Sequence, residues 1–451
     1  MNNNIPTEFI RRTKDLIGEE ECKALVNALE ANPPVSIRVN EAKGFDVPAK
    51  SARLLWSSNG YYLSERPSFT LDPLFHAGCY YVQEASSIFL EHVLKQLVKE
   101  PVTMLDLCAA PGGKSTLARS VLPEGSLLVA NEVVRSRAQV LAENMIKWGH
   151  DAVVVTNNDA QDFRRAGVMF DIVLTDVPCS GEGMFRKDVA AREEWSEDNV
   201  NLCCQRQRRI VADIWSCLKP GGFLIYSTCT FNHEENEDNV EWIANELGAE
   251  VMTIDVRDEW NVTGNLSGSN FPVYRFLPHK TKGEGLFMAV LRKTSEDSIK
   301  PIRLKKNKSA VPFPKQLKSW LNIPDKYAYE INGNFANAFP IHSYQHYQSL
   351  KSSLRVIHAG ITLGELKGKD WQPNHSLAMS TSLNADTFPT ANLSLEQSLS
   401  YLRSEAIVLD DSLPKGYVLL TYAHHPLGFA KNIGNRANNL YPNDWRIRKQ
   451  T

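Results

Sequence analysis

The segment from residue 100 to residue 293 repeats one pattern, in which a short apolar run rich in β-branched residues is followed by a stretch with helical spacing. Such alternation predicts parallel strands joined by crossover helices. The predicted strands are 102–107, 126–130, 151–155, 171–175, 223–226 and 286–291, and the predicted helices are 114–122, 135–148 and 199–218. The expected fold class is therefore α/β, with a mostly parallel, doubly wound, Rossmann-like sheet. Ligands bind such sheets at the carboxyl ends of the strands.

The regions around this core differ from it in pattern. Near the N-terminus, helical stretches mix with strand-like pieces, which predicts a small α+β domain packed on the core. A polar, basic, proline-containing stretch after the core is typical of a linker. The apolar run 416–422 near the end of the chain predicts a small β-rich domain. The expected boundaries are 1–99, 100–293 for the core, 294–312 for the linker, 313–390 for an intermediate domain and 391–451 for the last domain.

The composition excludes several classes of protein. The chain has 451 residues, 43% of them hydrophobic, and a net charge of −2, as expected of a soluble globular protein. Its eight cysteines include no C-x-x-C pair, so neither a structural zinc site nor a disulfide framework is expected. No signal-peptide pattern opens the chain, and no apolar stretch approaches the roughly 18 residues of a membrane span. We expect a monomeric cytoplasmic protein with reduced thiols, no metal ion and no membrane partner.

A glycine-containing turn, 106–115, joins the first predicted strand of the core to the first helix. Glycine lets a ligand approach the backbone closely, and the start of a helix favours a negatively charged group. The ending Gly113-Lys114-Ser115 matches a phosphate-binding P-loop, but that motif requires glycine where this chain has Cys108. An ATPase site is therefore disfavoured. The residues expected to line a cofactor site are Cys108, Ala109, Ala110, Pro111, Gly112, Gly113 and Lys114.

An acidic residue follows each of three predicted strands, namely Glu132, Asp159 and Asp176. Glu132 could accept hydrogen bonds from two ribose hydroxyls. Asp159 could accept one from an adenine amino group. A single acid after a strand is usually a helix cap, but three in succession favour a nucleoside cofactor. Because the turn departs from G-x-G-x-x-G, S-adenosylmethionine is expected rather than NAD.

Two cysteines each follow an apolar strand, Cys179 within 176–181 and Cys229 within 226–230. Thiols at one sheet edge can act as nucleophile and as acid or base. A thiol pair suits methylation of cytosine at C5, because that carbon is a poor nucleophile until a thiolate adds to C6, and the C5 proton must then be removed. A carboxylate such as Asp176 would hold the amino or N3 edge of the base. The other cysteines are expected to be inert packing residues.

The chain resembles the Sun-type RNA (cytosine-5) methyltransferases in three motifs, 109–114, 176–181 and 227–230. Further similar pieces are Arg38-Val39-Asn40, 81–87, 204–207, 278–279 and 283–285, so that the resemblance runs from about residue 36 to residue 291. It implies that Cys229 is the nucleophile and that Cys179 assists product release. It also implies that Lys114, Glu132, Asp159 and Asp176 line the pocket for S-adenosylmethionine and the base.

The C-terminal region resembles the PUA-like RNA-binding tail of the ribosomal small-subunit methyltransferase F group, through residues 416–428 and a basic end. That group modifies cytosines in the decoding region of 16S rRNA, so the resemblance implies this substrate, within the 30S subunit. The residues expected to contact RNA are Arg38, Lys431, Arg436, Arg446 and Arg448. Two alternatives stay open: a tRNA cytosine-5 methyltransferase, since the same catalytic motifs serve both, and an RNA-binding ribosome assembly factor without catalysis.

Overall fold

The computed structural model describes residues 5–299 and 313–449, and its first domain builds a small antiparallel sheet. The elements of this domain are α1 (Thr7–Ile17), α2 (Glu19–Glu30), β1 (Val35–Val39), β2 (Ala52–Arg53), β3 (Gly60–Leu63), α3 (Pro73–His76), β4 (Tyr80–Val82) and α4 (Leu90–Leu97). The strand order is β2-β3-β1-β4, with antiparallel neighbours throughout. Helix α4 buries Leu90, Val93 and Leu94. These side chains belong to the same hydrophobic cluster as the core strands, which fixes the domain to the core.

The core alternates strands and helices as predicted, and α6 begins and ends at the predicted residues. Its elements are β5 (Thr103–Asp106), α5 (Gly113–Val121), β6 (Leu127–Asn131), α6 (Arg135–Trp148), β7 (Val153–Thr156), α7 (Ala160–Ala166), β8 (Phe170–Asp176), α8 (Val189–Glu194), α9 (Glu197–Trp215), β9 (Leu218–Thr228), α10 (Glu237–Leu247), β10 (Ala249–Val251), β11 (Tyr274–Phe276) and β12 (Leu286–Lys293). Strand β9 is longer than predicted because it continues through 219–222, whose polar and glycine residues carry no apolar signal.

The C-terminal part adds two further four-stranded sheets. Its elements are α11 (Lys315–Lys318), β13 (Tyr327–Asn332), β14 (Phe335–Pro340), α12 (Tyr344–Ser353), β15 (Val356–Ala359), β16 (Ile361–Lys367), β17 (Asp370–Pro373), α13 (His375–Met379), β18 (Thr390–Asn392), α14 (Leu395–Leu402), β19 (Gly416–Tyr422), β20 (His425–Asn432) and β21 (Ala437–Asn439). The sheet orders are β13-β14-β16-β17 and β18-β19-β20-β21.

The central sheet of the described residues has the order β10-β12-β9-β8-β5-β6-β7-β15, and β11 pairs with β12. The strands from β5 to β9 run parallel, whereas β12 and β15 flank them antiparallel. The sheet therefore matches the expected fold class. The strand order reverses at β5, the switch point of the sheet, because the next strand along the chain, β6, pairs with one edge of β5 and the later strand β8 pairs with the other. Ligands bind outside the carboxyl ends of the strands at such a point.

The intermediate region is not separate from the core, contrary to the domain division expected from the sequence. Strand β15 pairs antiparallel with β7 and extends the central sheet, with Ala359 opposite Val154. The physical reason is that β7 is buried along its whole length and would otherwise leave an unpaired edge. The expected boundary between 390 and 391 also falls inside β18. Most of the expected linker, residues 300–312, lies outside the described residues.

The N-terminal domain contacts the backbone carbonyls at the end of α6. Asn40 donates hydrogen bonds from its side chain to the carbonyls of Gly78 and Trp148. A Cβ atom on Gly78 would lie 1.9 Å from the Lys147 carbonyl oxygen, so only glycine allows this close approach. In the described part of the chain, no helix is long and apolar enough to cross a bilayer, and no cluster of His, Cys, Asp and Glu could hold a metal ion.

Candidate active site

The structure brings the two singled-out cysteines into direct contact. The sulfur atoms of Cys179 and Cys229 are 3.1 Å apart, and both thiols are free. Their loops follow β8 and β9, which are parallel neighbours in a register that pairs Asp176 with Ser227. The thiols therefore meet at the carboxyl end of the sheet, beside the switch-point strand. A disulfide requires about 2.05 Å between the sulfur atoms, so the contact is between two separate thiols.

A glycine allows the two thiol loops to approach each other. The Gly183 amide donates a 2.8 Å hydrogen bond to the Cys229 carbonyl. A Cβ atom at residue 183 would lie 2.3 Å from that carbonyl oxygen, a distance that no side chain can keep. Gly183 is thus required where the loop after Cys179 packs on the loop of Cys229.

The two thiols cannot both be ionised in this arrangement. The hydrogen bond with Cys229, together with burial, holds the pKa of the Cys179 thiol well above its usual value. Two negative charges at this separation would repel strongly in a poorly solvated site. One sulfur can therefore carry a charge while the other stays protonated, which divides the thiols between two roles.

A partly exposed ion pair lies at the same sheet edge as the thiols. The Lys114 ammonium is 2.8 Å from the Asp176 carboxylate, which also accepts a 2.8 Å hydrogen bond from the Ser227 hydroxyl. Burial alone would lower the pKa of Lys114, but the carboxylate of Asp176 outweighs it and raises that pKa. The pair links the glycine turn after β5 to the end of β8. A carboxylate held in this way can accept a hydrogen bond from a base.

The glycine turn opens the first helix of the core. Gly112 adopts a φ of 117° at the N-cap of α5, a conformation that favours glycine. Asp106, at the end of β5, is fully buried and accepts a hydrogen bond from Ser115 through one carboxylate oxygen. Its other oxygen has no hydrogen-bond partner among the described residues. Burial raises the pKa of Asp106 to about 7. The turn therefore follows directly on a buried carboxylate that keeps one oxygen without a partner in the described part of the chain.

The residues preceding Gly112 connect the turn to its neighbours. Ala109 donates from its amide to the Asn131 carbonyl, and the Ala110 carbonyl accepts from Arg137. The bond between Ala110 and Pro111 is a cis peptide. Cys108 is half-buried, and burial raises the pKa of its thiol. These contacts keep the 108–114 segment at the switch point.

Glu132 and Asp159 both lie after the strands from which they were predicted. Glu132 is buried, accepts a hydrogen bond from the Val134 amide and lies 3.4 Å from Arg137. Asp159 is the N-cap of α7 and accepts from the Gln161 amide. Capping is the usual role of a single acid in this position. Contact of either carboxylate with a cofactor stays a prediction.

Sequence reasoning missed Glu235, which is fully buried between the two thiol loops. It accepts hydrogen bonds from the Ser180 amide and from the side chains of Gln207 and Asn232. The only sequence signal is the polar run 232–239, which contains several acidic residues directly after the strand of Cys229. Such a run ordinarily predicts a solvated loop.

One expected RNA contact is wrong, because Arg38 lies in the interior with 2% of its surface exposed. Its guanidinium donates to the side chains of Gln83 and Thr116 and lies over the Trp148 ring. These contacts join the N-terminal sheet to the core, so Arg38 has a structural role. The sequence could not show this, because the partners come from distant segments.

The other expected RNA contacts lie on the last domain. Arg436, Arg446 and Arg448 are exposed, and Lys431 is half-buried with its ammonium 5.2 Å from the Tyr417 ring centre. Lys431 lies in β20 and Arg436 in the turn between β20 and β21, whereas Arg446 and Arg448 follow β21. Their contact with RNA stays a prediction.

Three family models match separate segments of the chain. The model described as 16S rRNA methyltransferase RsmB/F matches residues 93–292. The models described as the N-terminal domain of 16S rRNA methyltransferase RsmF and the methyltransferase RsmF PUA domain match residues 5–85 and 388–447. Among solved structures, a methyltransferase homologue from Pyrococcus horikoshii is 27% identical with a TM-score of 0.55, over 64% of this chain and 96% of that one. NSun6 from the same organism shares the fold, with 21% identity and a TM-score of 0.55 over 65% of this chain and 100% of that one.

Two relatives align with most of the chain. Ribosomal RNA small subunit methyltransferase F of Aliivibrio fischeri (strain MJ11) is 32% identical over 412 residues, which are 86% of this chain and 84% of the relative. The protein of the same name from Escherichia coli O127:H6 is 31% identical over 418 residues, 86% of this chain and 83% of the relative. The expected fold of Rossmann-like core, N-terminal domain and C-terminal PUA domain is confirmed. The chain belongs to the RsmF family of 16S rRNA methyltransferases.

Proposed function

We propose that this protein methylates cytosine at C5 in 16S rRNA, through a transient covalent bond between Cys229 and C6 of the base. The observation that carries the proposal is the pair of thiols in contact beside the carboxylate of Asp176. Cytosine C5 chemistry needs a nucleophile for C6, a base for the C5 proton and a group that holds the polar edge of the ring. The site supplies one candidate for each.

S-adenosylmethionine is the methyl donor that we propose, bound at the glycine turn after β5. When bound, it supplies an electrophilic methyl group. Residues 108–114 would line its site, with Glu132 placed for the ribose and Asp159 for the adenine. The position of the turn supports this assignment, because it joins the carboxyl end of the switch-point strand β5 to the start of α5, where ligands bind such sheets.

Cys229 opens the reaction as a thiolate. Its sulfur forms a bond to C6 of the cytosine, and the electron pair of the C5–C6 double bond moves toward C5, which becomes nucleophilic. The Asp176 carboxylate would hold the amino or N3 edge of the base and stabilise the charge in the ring. Lys114 and Ser227 keep that carboxylate in place.

Cys179 closes the reaction. Once the sulfur of Cys229 is bonded to carbon, it no longer carries a charge that opposes ionisation of its neighbour. Cys179 can then lose its proton to solvent and, as a thiolate, take the proton from C5. The electron pair of the C5–H bond restores the C5–C6 double bond, and the C6–S bond breaks to return the Cys229 thiolate. The raised pKa of Cys179 supports this order, because its first cause is the hydrogen bond with Cys229.

The substrate we propose is the decoding region of 16S rRNA within the 30S subunit, in the cytoplasm. The family membership and the PUA domain support a ribosomal RNA substrate. Exposed arginines on the last domain would contact phosphates and hold the enzyme on the RNA without reading its sequence. The base-specific step would then belong to the pocket around Asp176.

The test is methyl transfer from labelled S-adenosylmethionine to three RNAs: 30S subunits, protein-free 16S rRNA and total tRNA. We expect label in 16S rRNA and recovery of 5-methylcytidine after digestion to nucleosides. Label only in tRNA would change the substrate and support the tRNA alternative. Label in a nucleoside other than 5-methylcytidine would overturn the proposed chemistry. No transfer to any RNA would support a non-catalytic assembly factor.

A further inference from the structure

We propose that Glu235, together with Gln207, is a positioning residue that fixes the two thiols relative to each other. The inference rests on the proposed function of Cys179 and Cys229. Neither residue needs to touch the RNA or the methyl donor. Their role is to hold the backbone on both sides of one thiol and to tie it to the loop of the other.

The peptide groups on both sides of Cys179 are held by this pair. The carbonyl of Pro178, directly before the cysteine, accepts a 3.0 Å hydrogen bond from the Gln207 amide. The amide of Ser180, directly after it, donates a 3.0 Å hydrogen bond to the Glu235 carboxylate. Gln207 and Glu235 are themselves joined by a 2.7 Å hydrogen bond. Cys179 therefore cannot move without breaking at least one of these contacts.

The same carboxylate reaches the loop of Cys229. Its other oxygen accepts a 2.8 Å hydrogen bond from the Asn232 amide, which also donates to the Thr230 hydroxyl at 2.9 Å. Tyr226, on the strand that leads to Cys229, donates a 2.6 Å hydrogen bond to the Glu235 carbonyl. Glu235 is thus the one side chain among the described residues that bonds to residues of both thiol loops and to the helix beneath them through Gln207.

Three N–H groups donate to the Glu235 carboxylate. Only the ionised carboxylate accepts hydrogen bonds through both oxygens without presenting a proton of its own to these donors. Glu235 and Gln207 are both fully buried, and no basic side chain of the described segments lies within ion-pair distance of the carboxylate. The titratable groups that face it are Glu182, Cys179, Cys203, Cys204 and Tyr226.

Burial raises the pKa of Glu235 to about 7. Protonation near neutral pH therefore turns one acceptor oxygen into a donor that faces other donors. We expect the thiols to lose their alignment as the pH falls through this value, and the turnover number to fall with it.

The test compares the wild type with Glu235→Gln, Glu235→Asp and Gln207→Leu on 30S subunits at a range of pH. Glu91→Gln is the control, because Glu91 is also buried and also accepts from a backbone amide, but it lies on α4, where two hydroxyls and the Lys95 ammonium are its other partners. We expect Glu235→Gln to lower kcat about 100-fold with KM for RNA unchanged, since small misplacements of reacting groups have effects of this size. Glu235→Asp should recover part of kcat, and Glu91→Gln should stay within threefold of the wild type.

The pH profile separates positioning from a merely structural role. Ionisation of the thiols affects kcat of both enzymes alike, so the ratio of wild-type kcat to Glu235→Gln kcat should fall as the pH drops through 7, where the wild-type carboxylate is protonated. A folded Glu235→Gln enzyme with kcat within threefold of the wild type would overturn the inference. If Glu235→Gln does not fold, a wild-type profile without any inflection between pH 6 and 8 would overturn it instead. If the wild type itself makes no 5-methylcytidine, the proposed function fails rather than this inference.

Discussion

Cys179 and Cys229 lie fifty residues apart in the chain, yet their sulfur atoms are 3.1 Å from each other. The contact follows from the register of β8 and β9, which end side by side with Asp176 opposite Ser227. Each strand delivers one cysteine to the same sheet edge. The close packing of the two loops at Gly183 then sets the remaining distance.

The approach of the loops depends on Gly183. We expect Gly183→Ala to lower kcat for methyl transfer about 100-fold, because the new Cβ atom would push the Cys229 carbonyl away and separate the thiols. The measurement is single-turnover transfer to 30S subunits. Gly264→Ala is the control, since a Cβ atom there meets nothing within 4 Å. Equal rates for both variants would show that the thiol distance does not limit the reaction.

The ion pair of Lys114 with Asp176 should matter for activity beyond its effect on folding. We expect Lys114→Met to lower the methylation rate by about 100-fold or more, as removal of one preorganised charged group commonly does. Lys219→Met is the matched control, because Lys219 makes a 2.7 Å pair with Asp171 near the opposite end of the same strand. That variant should keep its rate within about twofold. A Lys114→Met enzyme as active as the control would remove the pair from the proposed mechanism.

Because of Asp106, the free energy of unfolding should depend on pH. Its pKa is about 7 in the folded protein, above the ordinary 3.8, so the folded state binds the proton more tightly than the unfolded state. The protonated group therefore contributes stability that is complete below about pH 4 and is lost as the pH rises through 7. At 1.36 kcal/mol per pKa unit, the loss is up to ~4 kcal/mol.

The measurement for Asp106 is urea unfolding of the wild type and Asp106→Asn between pH 4 and 8. The free energy of unfolding of the wild type, relative to the variant, should fall across this range. The comparison removes the contributions of the other titrating groups. A difference that does not change with pH would show that Asp106 ionises at its ordinary pKa.

The exposed arginines of the last domain should control RNA affinity rather than chemistry. We expect the triple variant Arg436→Ala, Arg446→Ala and Arg448→Ala to bind 16S rRNA more weakly, with the slope of log affinity against log salt reduced by about 2 to 3. Filter binding at several salt concentrations measures this slope. Arg164→Ala with Arg165→Ala, on α7, is the control and should leave the slope unchanged. An unchanged slope in the triple variant would place RNA binding elsewhere.

Helices and strands that depend on local residue patterns could be predicted from the sequence. Helix α6 and strand β19 have the predicted bounds, since apolar spacing and β-branched composition depend on nearby residues only. The thiol pair could also be anticipated, because parallel strands place their carboxyl ends at one edge. The pairing of β15 with β7 joins residues about 200 positions apart, and no local pattern encodes it.

The sequence also did not predict which polar residues are buried. Arg38 and Glu235 have the side chains of surface residues, and their partners come from other segments of the chain. The sequence therefore did not reveal the interior position of Arg38 and assigned no role to Glu235. Only the assembled fold shows that one joins two domains and the other joins two loops.

The most direct test of the account is a denaturing gel of Cys179→Ala and Cys229→Ala after incubation with 16S rRNA in 30S subunits and S-adenosylmethionine. If Cys229 bonds to the base and Cys179 releases it, Cys179→Ala accumulates a protein–RNA band that survives denaturation. Cys229→Ala then forms no such band and transfers no methyl group. Methyl transfer by Cys229→Ala at the wild-type rate, or a stable band from Cys229→Ala instead of Cys179→Ala, would contradict the assignment of the two thiols.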